Sequence, residues 1–140
     1  RDGVAIKGAT KSAYTLVAAD KGAGISVEVT GTADGYEPTT ASSAPVEVKS
    51  GVLSATPVPT ISGTAKVGKT LTAVPGTWAP ATVKLSYQWL RDGAAIKGAT
   101  SSTYTLVKAD KGARLTVKVK GSKSGFTSVS KTSKETAKVA

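Results

Sequence analysis

Carboxylates are the first side chains to consider for chemistry in this sequence, because it contains no histidine, cysteine, methionine or asparagine. Those absences remove the usual general base, the thiol nucleophile, thiolate metal ligands and the N-glycosylation acceptor. Hydrolysis by paired carboxylates needs two acids converging in a cleft, but the second half of the chain offers only Asp92, Asp110 and Glu135, in well-separated segments. Asp34 and Glu37 lack the close spacing of a calcium loop. We therefore predict no catalytic residue, no metal site and no cofactor.

Structural roles account for the same carboxylates. Asp92-Gly93 and Asp2-Gly3 form the dipeptide best suited to a two-residue hairpin turn, in which both residues tolerate a positive φ. Asp110 and Asp20 each precede Lys-Gly, a setting in which a carboxylate typically accepts backbone N–H hydrogen bonds. These four acids are thus predicted to shape turns.

Basic residues are the second feature with functional potential, since the net charge is +10, divided as −1 over residues 1–50 and +11 over residues 51–140. Five basic side chains fall on outward positions of the last two predicted strands: Arg114, Lys118, Lys120, Lys134 and Lys138. Beside Gln88, such a face could bind an anionic cell-wall polymer or acidic polysaccharide through salt-sensitive contacts. Alternatively, the lysines keep a threonine-rich sheet soluble and prevent edge-to-edge pairing, which we favour.

Aromatic residues bear on two further partners. Nucleic-acid surfaces usually add exposed aromatic rings to positive charge, but Tyr87, Trp89 and Tyr104 fall on positions predicted for the core. Nucleic acid is therefore not an expected partner. Trp78, in the loop "PGTWAP", could stack on a sugar, although packing over one end of the fold is the favoured interpretation.

An internal repeat organises the chain. The segment "RDGVAIKGATKSAYTLVAADKGA" from Arg1 returns as "RDGAAIKGATSSTYTLVKADKGA" from Arg91, a shift of 90 residues without a gap. Weaker similarity follows, in which apolar positions are kept while their neighbours change. Residues 52–90 have no counterpart ahead of Arg1. The first copy therefore corresponds to the back half of a repeat.

Periodicity indicates that each copy is built from short β-strands. "LSYQWLR" and "RLTVKVK" alternate apolar and polar residues, which is the period of a half-buried strand, and turn signals recur between such runs. The strands of the complete copy are predicted near residues 59–62, 70–74, 85–90, 94–97, 103–107, 114–120 and 132–139. The predicted core consists of Leu85, Tyr87, Trp89, Tyr104, Leu106, Leu115, Val117 and Val119. This pattern predicts an all-β fold, a small antiparallel β-sandwich.

The sequence resembles the tandem immunoglobulin-like repeats of secreted and wall-associated proteins of Gram-positive bacteria. The resemblance is carried by "VPTISGTAKVGKTLTAVPGTW", "LSYQWLRDGAAIKGA" and "STYTLVKADKGARLTVKVKGS". It implies that Trp89 is the buried tryptophan of strand C and that Asp110 and Gly112 belong to the corner before strand F. Arg114 stands where that corner would have a tyrosine and Thr116 where it would have a cysteine. We therefore expect a core held by aliphatic packing, without the tyrosine-corner hydrogen bond.

This organisation predicts three parts: residues 1–50 as the back half of a repeat with strands C′, E, F and G, residues 51–58 as a linker, and residues 59–140 as a complete repeat. Half a core does not offset chain entropy. We therefore expect the missing strands to come from a longer chain or from another polypeptide.

The resemblance implies a non-enzymatic spacer or presentation stalk, with neighbouring repeats as partners and with a role in adhesion. Two alternatives stay open: a binding module that uses the basic face, and repeats appended to an extracellular enzyme. The sequence has no run of 18 apolar residues and no signal pattern at its start. We expect no membrane span, a secreted or cell-surface location, and an export signal and anchor outside this sequence.

Overall fold

A computed structural model describes residues 1–140, and its contacts divide the chain into two units, Arg1–Gly51 and Val52–Ala140. The strands are β1 (Gly24–Ile25), β2 (Glu28–Gly31), β3 (Thr39–Ser42), β4 (Val46–Glu47), β5 (Thr60–Ser62), β6 (Thr70–Val74), β7 (Lys84–Arg91), β8 (Ala94–Ala95), β9 (Thr103–Thr105), β10 (Leu115–Ser122) and β11 (Val129–Thr132). All strand pairs are antiparallel, and the only helical segments are single 3-10 turns at Ala18–Asp20 and Lys108–Asp110. The predicted all-β class is confirmed. Neither helical turn could span a membrane.

The second unit has two sheets, one with the strand order β5-β6-β9 and one with the order β11-β10-β7-β8. Alternating side chains of β6 and β10 turn inward and are buried, because successive residues of a strand face opposite sides. The main cluster of buried residues draws on both sheets and consists of Leu71, Ala73, Trp89, Leu106, Leu115, Val117 and Val139. The Trp89 ring stacks on Tyr104 with centroids 5.9 Å apart.

A second apolar cluster of this unit is formed by Leu53, Trp78 and Val119. Trp78 lies flat on β10, where a Cβ built at Gly121 would overlap the Cε3 and Cζ3 atoms of the indole. Glycine is therefore required for this close approach of ring to backbone.

The chain enters and leaves the second unit at opposite ends. Its beginning lies beside the loop between β6 and β7, where Ala55 forms a β-bridge with Ala79. Its end lies beside the loop between β5 and β6, where the Ala140 N–H donates to the Ala65 carbonyl at 2.9 Å. The eight residues of β10 span the distance between these ends, roughly 25 Å at the usual rise per residue.

The first unit contains two separate strand pairs, β1 with β4 and β2 with β3. The prediction of strands C′ and E in this copy was wrong, because residues 4–7 and 13–17 form no strand. Their counterparts β8 and β9 pair with β7 and β6, and the first unit has no equivalent of either partner. A strand without a ladder partner leaves its backbone hydrogen bonds unmade, so only the strands that pair within the back half form.

Two boundaries of the second unit differ from the prediction. Residues 52–58, expected in a linker, belong to the unit, since Leu53 is buried and Ala55 is bridged. The last strand was expected at residues 132–139 but ends at Thr132. There the hydroxyls of Ser133 and Thr136 accept the Val117 and Leu115 N–H groups, at 3.0 Å each. Side-chain oxygens thus replace backbone carbonyls and interrupt the ladder.

Candidate functional site

Asp110 is the most buried ionisable group of the second unit, with no exposed side-chain surface. Its Oδ1 atom accepts from Arg91 Nε at 2.7 Å, and the second arm of the guanidinium lies 2.5 Å away. Its Oδ2 atom accepts from the Tyr104 hydroxyl at 3.0 Å and from the Val107 N–H at 2.7 Å. This cluster, called the carboxylate corner below, ties the end of β7 to β9 and to the 3-10 turn.

The first unit contains the same corner at positions 90 residues earlier. Asp20 has no exposed side-chain surface and accepts from Arg1 Nε at 2.8 Å. It also accepts from the Tyr14 hydroxyl at 3.0 Å and from the Val17 N–H at 2.7 Å. Every donor of the Asp110 corner therefore has its equivalent here.

Protonation equilibria follow from these contacts. The Val17 N–H, followed by the Arg1 guanidinium and the Tyr14 hydroxyl, holds the pKa of Asp20 below its ordinary value, against the opposing effect of burial. Burial, and then the hydrogen bond to Asp110, raises the pKa of Tyr104. In the first corner the lowered pKa favours the carboxylate form of Asp20, and in the second the raised pKa favours the protonated, donating hydroxyl of Tyr104.

The Asp92-Gly93 turn is the hairpin turn that the sequence predicts, whereas Asp2-Gly3 forms a turn that joins no strand pair. Asp92 and Gly93 have φ values of 45° and 81°, between the paired strands β7 and β8. The Asp92 carboxylate accepts the Arg114 N–H at 2.8 Å. Asp2 accepts the Gly24 N–H at the same distance. Both aspartates thus stabilise a two-residue turn and tie it to the chain that follows the carboxylate corner.

The acidic side chains do not converge on a shared site. No three carboxylates come close enough to share a metal ion, and every buried side-chain nitrogen or oxygen has a hydrogen-bond partner. Two open depressions of about 300 and 390 Å³ lie at equivalent places, on segments 7–15 and 96–105. Their linings contain lysine, threonine and tyrosine but no acid. Nothing in either depression resembles paired acid–base groups.

The basic face is only partly assembled. Lys118 and Lys120 are exposed on β10, two residues apart and thus on one face of the sheet. Lys134 and Lys138 are exposed beyond the end of β11. Arg114 is engaged elsewhere: its Nη1 donates to the Thr136 carbonyl at 3.0 Å, and its Nε lies 3.8 Å from Glu135.

Two further candidates are also engaged. The Gln88 amide, predicted to lie beside the basic face, donates to the Trp89 and Ile96 carbonyls. The Trp78 ring is only 8% exposed, and its indole N–H donates to the Pro75 carbonyl at 3.1 Å. Trp78 is therefore part of the second apolar cluster, packed with Leu53 and Val119.

Some of the predicted core residues are fully buried and others are only partly buried. Trp89, Leu106, Leu115, Val117 and Val119 are buried, whereas Leu85, Tyr87 and Tyr104 are partly buried and pack against them. The sequence interpretation missed Arg91 and Tyr104 as partners of Asp110. Their recurrence as Arg1, Tyr14 and Asp20 at unchanged spacing was the signal available.

Comparison of the chain with models of known protein families, with curated proteins and with solved structures gave no significant match.

Proposed function

We propose that the chain is made of tandem immunoglobulin-like β-sandwich repeats and acts as a non-catalytic spacer or presentation stalk in a secreted or surface-attached bacterial protein. The observation that carries this proposal is the position of the two chain ends of the second unit. Entry beside Ala79 and exit beside Ala65 lie at opposite ends of the sheets. Units whose two chain ends lie at opposite ends form an extended chain when they are joined in series.

The carboxylate corner supports the same function. The acids that could have done chemistry, Asp20 and Asp110, are saturated by structural donors. Breaking a buried ion pair by removing one partner is strongly destabilising. A corner repeated in both units suits a protein whose task is to keep its shape, and the sequence resemblance adds the bacterial surface as its setting.

The experiment is to measure extension against repeat number. Additional copies of residues 52–140 would be joined in series to the 140-residue chain, and the maximum dimension would be measured by small-angle X-ray scattering. A spacer predicts a constant increment per copy, on the order of the 25 Å length of a strand of β10's size. A maximum dimension that stops growing as copies are added would contradict the spacer function.

A second candidate is a polyanion-binding function, favoured by the exposed Lys118 and Lys120 on one face. It predicts binding to lipoteichoic acid that weakens steeply between low and physiological salt, because exposed charges are screened within about 8 Å at 0.15 M. The variant Lys118→Ser/Lys120→Ser should lose that binding, whereas Lys7→Ser/Lys11→Ser in the first unit should keep it. Binding that is equal in both variants would exclude this face.

A further inference from the structure

The larger of the two depressions, about 390 Å³, lies on the second unit over residues 96–105. Its volume is within the range of roughly 300–1,000 Å³ that is usual for ligand clefts in proteins. Lys97 is its only charged lining residue, and Ser101, Thr103 and Thr105 add three exposed hydroxyls. This site, called the lysine depression below, therefore offers one cation and several hydrogen-bonding groups without an opposing acid.

Buried side chains hold the backbone around the lysine depression in place. The Gln88 amide donates to the Ile96 carbonyl at 2.8 Å, and the Trp89 indole N–H donates to the Ser101 carbonyl at 3.0 Å. Tyr104, which also lines the depression, is fixed through its hydroxyl by the carboxylate corner. A site that is formed before its ligand arrives loses less conformational entropy on binding.

Lys97 is exposed and has no ion-pair partner, since every ion pair of the chain involves an arginine. The internal repeat keeps this lysine as Lys7, within the identical segments at residues 5–10 and 95–100. Other exposed positions differ even in charge, as for Lys118, which corresponds to Glu28. An exposed lysine that both copies keep, without a charged partner in the fold, is available to an anionic group of a ligand.

Hydroxyl groups continue from the lysine depression across the sheet β5-β6-β9. Thr105 lies opposite Thr70, with their Oγ1 atoms 3.0 Å apart. Thr103 lies opposite Thr72, which in turn lies opposite Ser62. All five side chains are exposed, and none of the three strands contains a charged residue. The surface that adjoins the depression is thus neutral and rich in hydroxyls, which suits the hydroxyl groups of a sugar.

We propose that the lysine depression binds an acidic saccharide, with the Lys97 ammonium on the sugar carboxylate and the neighbouring hydroxyls on the sugar hydroxyls. A polyphosphate would place a charge on every unit of the ligand, whereas the surface beside Lys97 is neutral. The site is distinct from the exposed pair Lys118 and Lys120 on β10. Its binding is also independent of the spacer function, because an extended array needs no ligand.

The test is an NMR titration of the isotope-labelled 140-residue chain with two matched disaccharides. Cellobiouronic acid carries one carboxylate, and cellobiose has a hydroxymethyl group in its place. The acid should shift the Gly98, Ser101 and Thr105 amides in a saturable way. Cellobiose should bind roughly tenfold more weakly or not at all, because the charge-assisted contact is missing. The proposal is overturned if the acid gives no saturable shift at these amides, or if the two sugars bind equally.

A matched pair of variants assigns the contact to one lysine. Lys97→Ser should weaken binding of the acid roughly tenfold. Lys84→Ser, which removes an exposed lysine from the other sheet, should leave binding unchanged. Equal weakening in both variants would show a general attraction to the positive unit and would rule out the site. None of these results alters the extension per copy that tests the spacer function.

Discussion

Leu16 and Leu106 occupy the same place in the internal repeat, yet Leu16 is 54% exposed and Leu106 is 1% exposed. The carboxylate corners around Asp20 and Asp110, in contrast, have the same donors and nearly the same distances. The comparison separates two kinds of structure. Local hydrogen bonding within about twenty residues forms the corner in either unit, whereas burial of the apolar face depends on β5, β6 and β7.

Replacing the equivalent leucines with alanine should give the largest difference in stability between the two units. Leu106→Ala should lower the free energy of unfolding of the second unit by about 2–5 kcal/mol, the usual cost of such a cavity. The matched Leu16→Ala should change stability by less than about 0.5 kcal/mol, as for other exposed sites. Urea unfolding followed by NMR would report both units separately. Equal losses in the two variants would show that Leu16 is buried in solution.

The corner is the part that the two units share, so its removal should affect both. Asp110→Ala should cost the second unit about 2–3 kcal/mol, since three donors lose a charged acceptor and Arg91 keeps part of its solvation. Asp20→Ala should speed hydrogen exchange at the Val17 amide, whose acceptor is lost. An unchanged exchange rate at Val17 would mean that the first corner is not formed in solution.

Glycine substitution tests the close approach of the Trp78 ring to Gly121. Gly121→Ala should destabilise the second unit by about 1–3 kcal/mol, because the new methyl group would overlap the Trp78 ring. Gly31→Ala should stay within about 0.5 kcal/mol of the parent. Thermal unfolding of the two variants would check this contrast, and a large loss from Gly31→Ala would indicate a ring above Gly31.

The stability of the first unit should depend on acidic pH, and that of the second unit on alkaline pH. The lowered pKa of Asp20 gives the first corner stability that is complete above the ordinary aspartate value, near 3.8, and is lost as pH falls through the folded-state pKa. The raised pKa of Tyr104 acts in the opposite direction. Its contribution is complete below pH 10.0, the ordinary tyrosine value, and is lost as pH rises through the folded-state pKa.

NMR titration would locate both transitions. Tyr104→Phe should remove the alkaline dependence of the second unit, at the cost of one hydrogen bond, about 1 kcal/mol. If the variant keeps the same alkaline loss as the parent, the dependence arises from a group other than Tyr104.

Sequence patterns predicted the strands of the second unit where alternation and turns agree, as in β7, β10 and the Asp92-Gly93 turn. The patterns failed at the last strand of the second unit. There the hydroxyls of Ser133 and Thr136 accept the hydrogen bonds that backbone carbonyls accept in a regular ladder, and the alternation of apolar residues does not indicate this. In the first unit, strands were assigned to residues 4–7 and 13–17 from similarity alone. A strand depends on its partner, and local sequence does not report whether a partner is present.

Candidate site residues were harder to predict. Charge located the exposed Lys118 and Lys120, but the engagement of Arg114 by Thr136 and Glu135 depends on how β11 ends. The role of Asp110 as an acceptor of a backbone N–H followed from its corner position and is confirmed by Val107. Its ion pair with Arg91, 19 residues earlier, depends on three-dimensional proximity.

The completeness of the corner in the first unit has a kinetic consequence. Arg1 and Asp20 are 19 residues apart, whereas Thr70 and Thr105, which pair β6 with β9, are 35 apart. Closing the shorter loop costs less entropy, and here it needs no apolar core. The corner should therefore form before β6 pairs with β9, and Asp110→Ala is predicted to slow the folding of the second unit. Pairing of β6 with β9, which closes the longer loop, should then follow it.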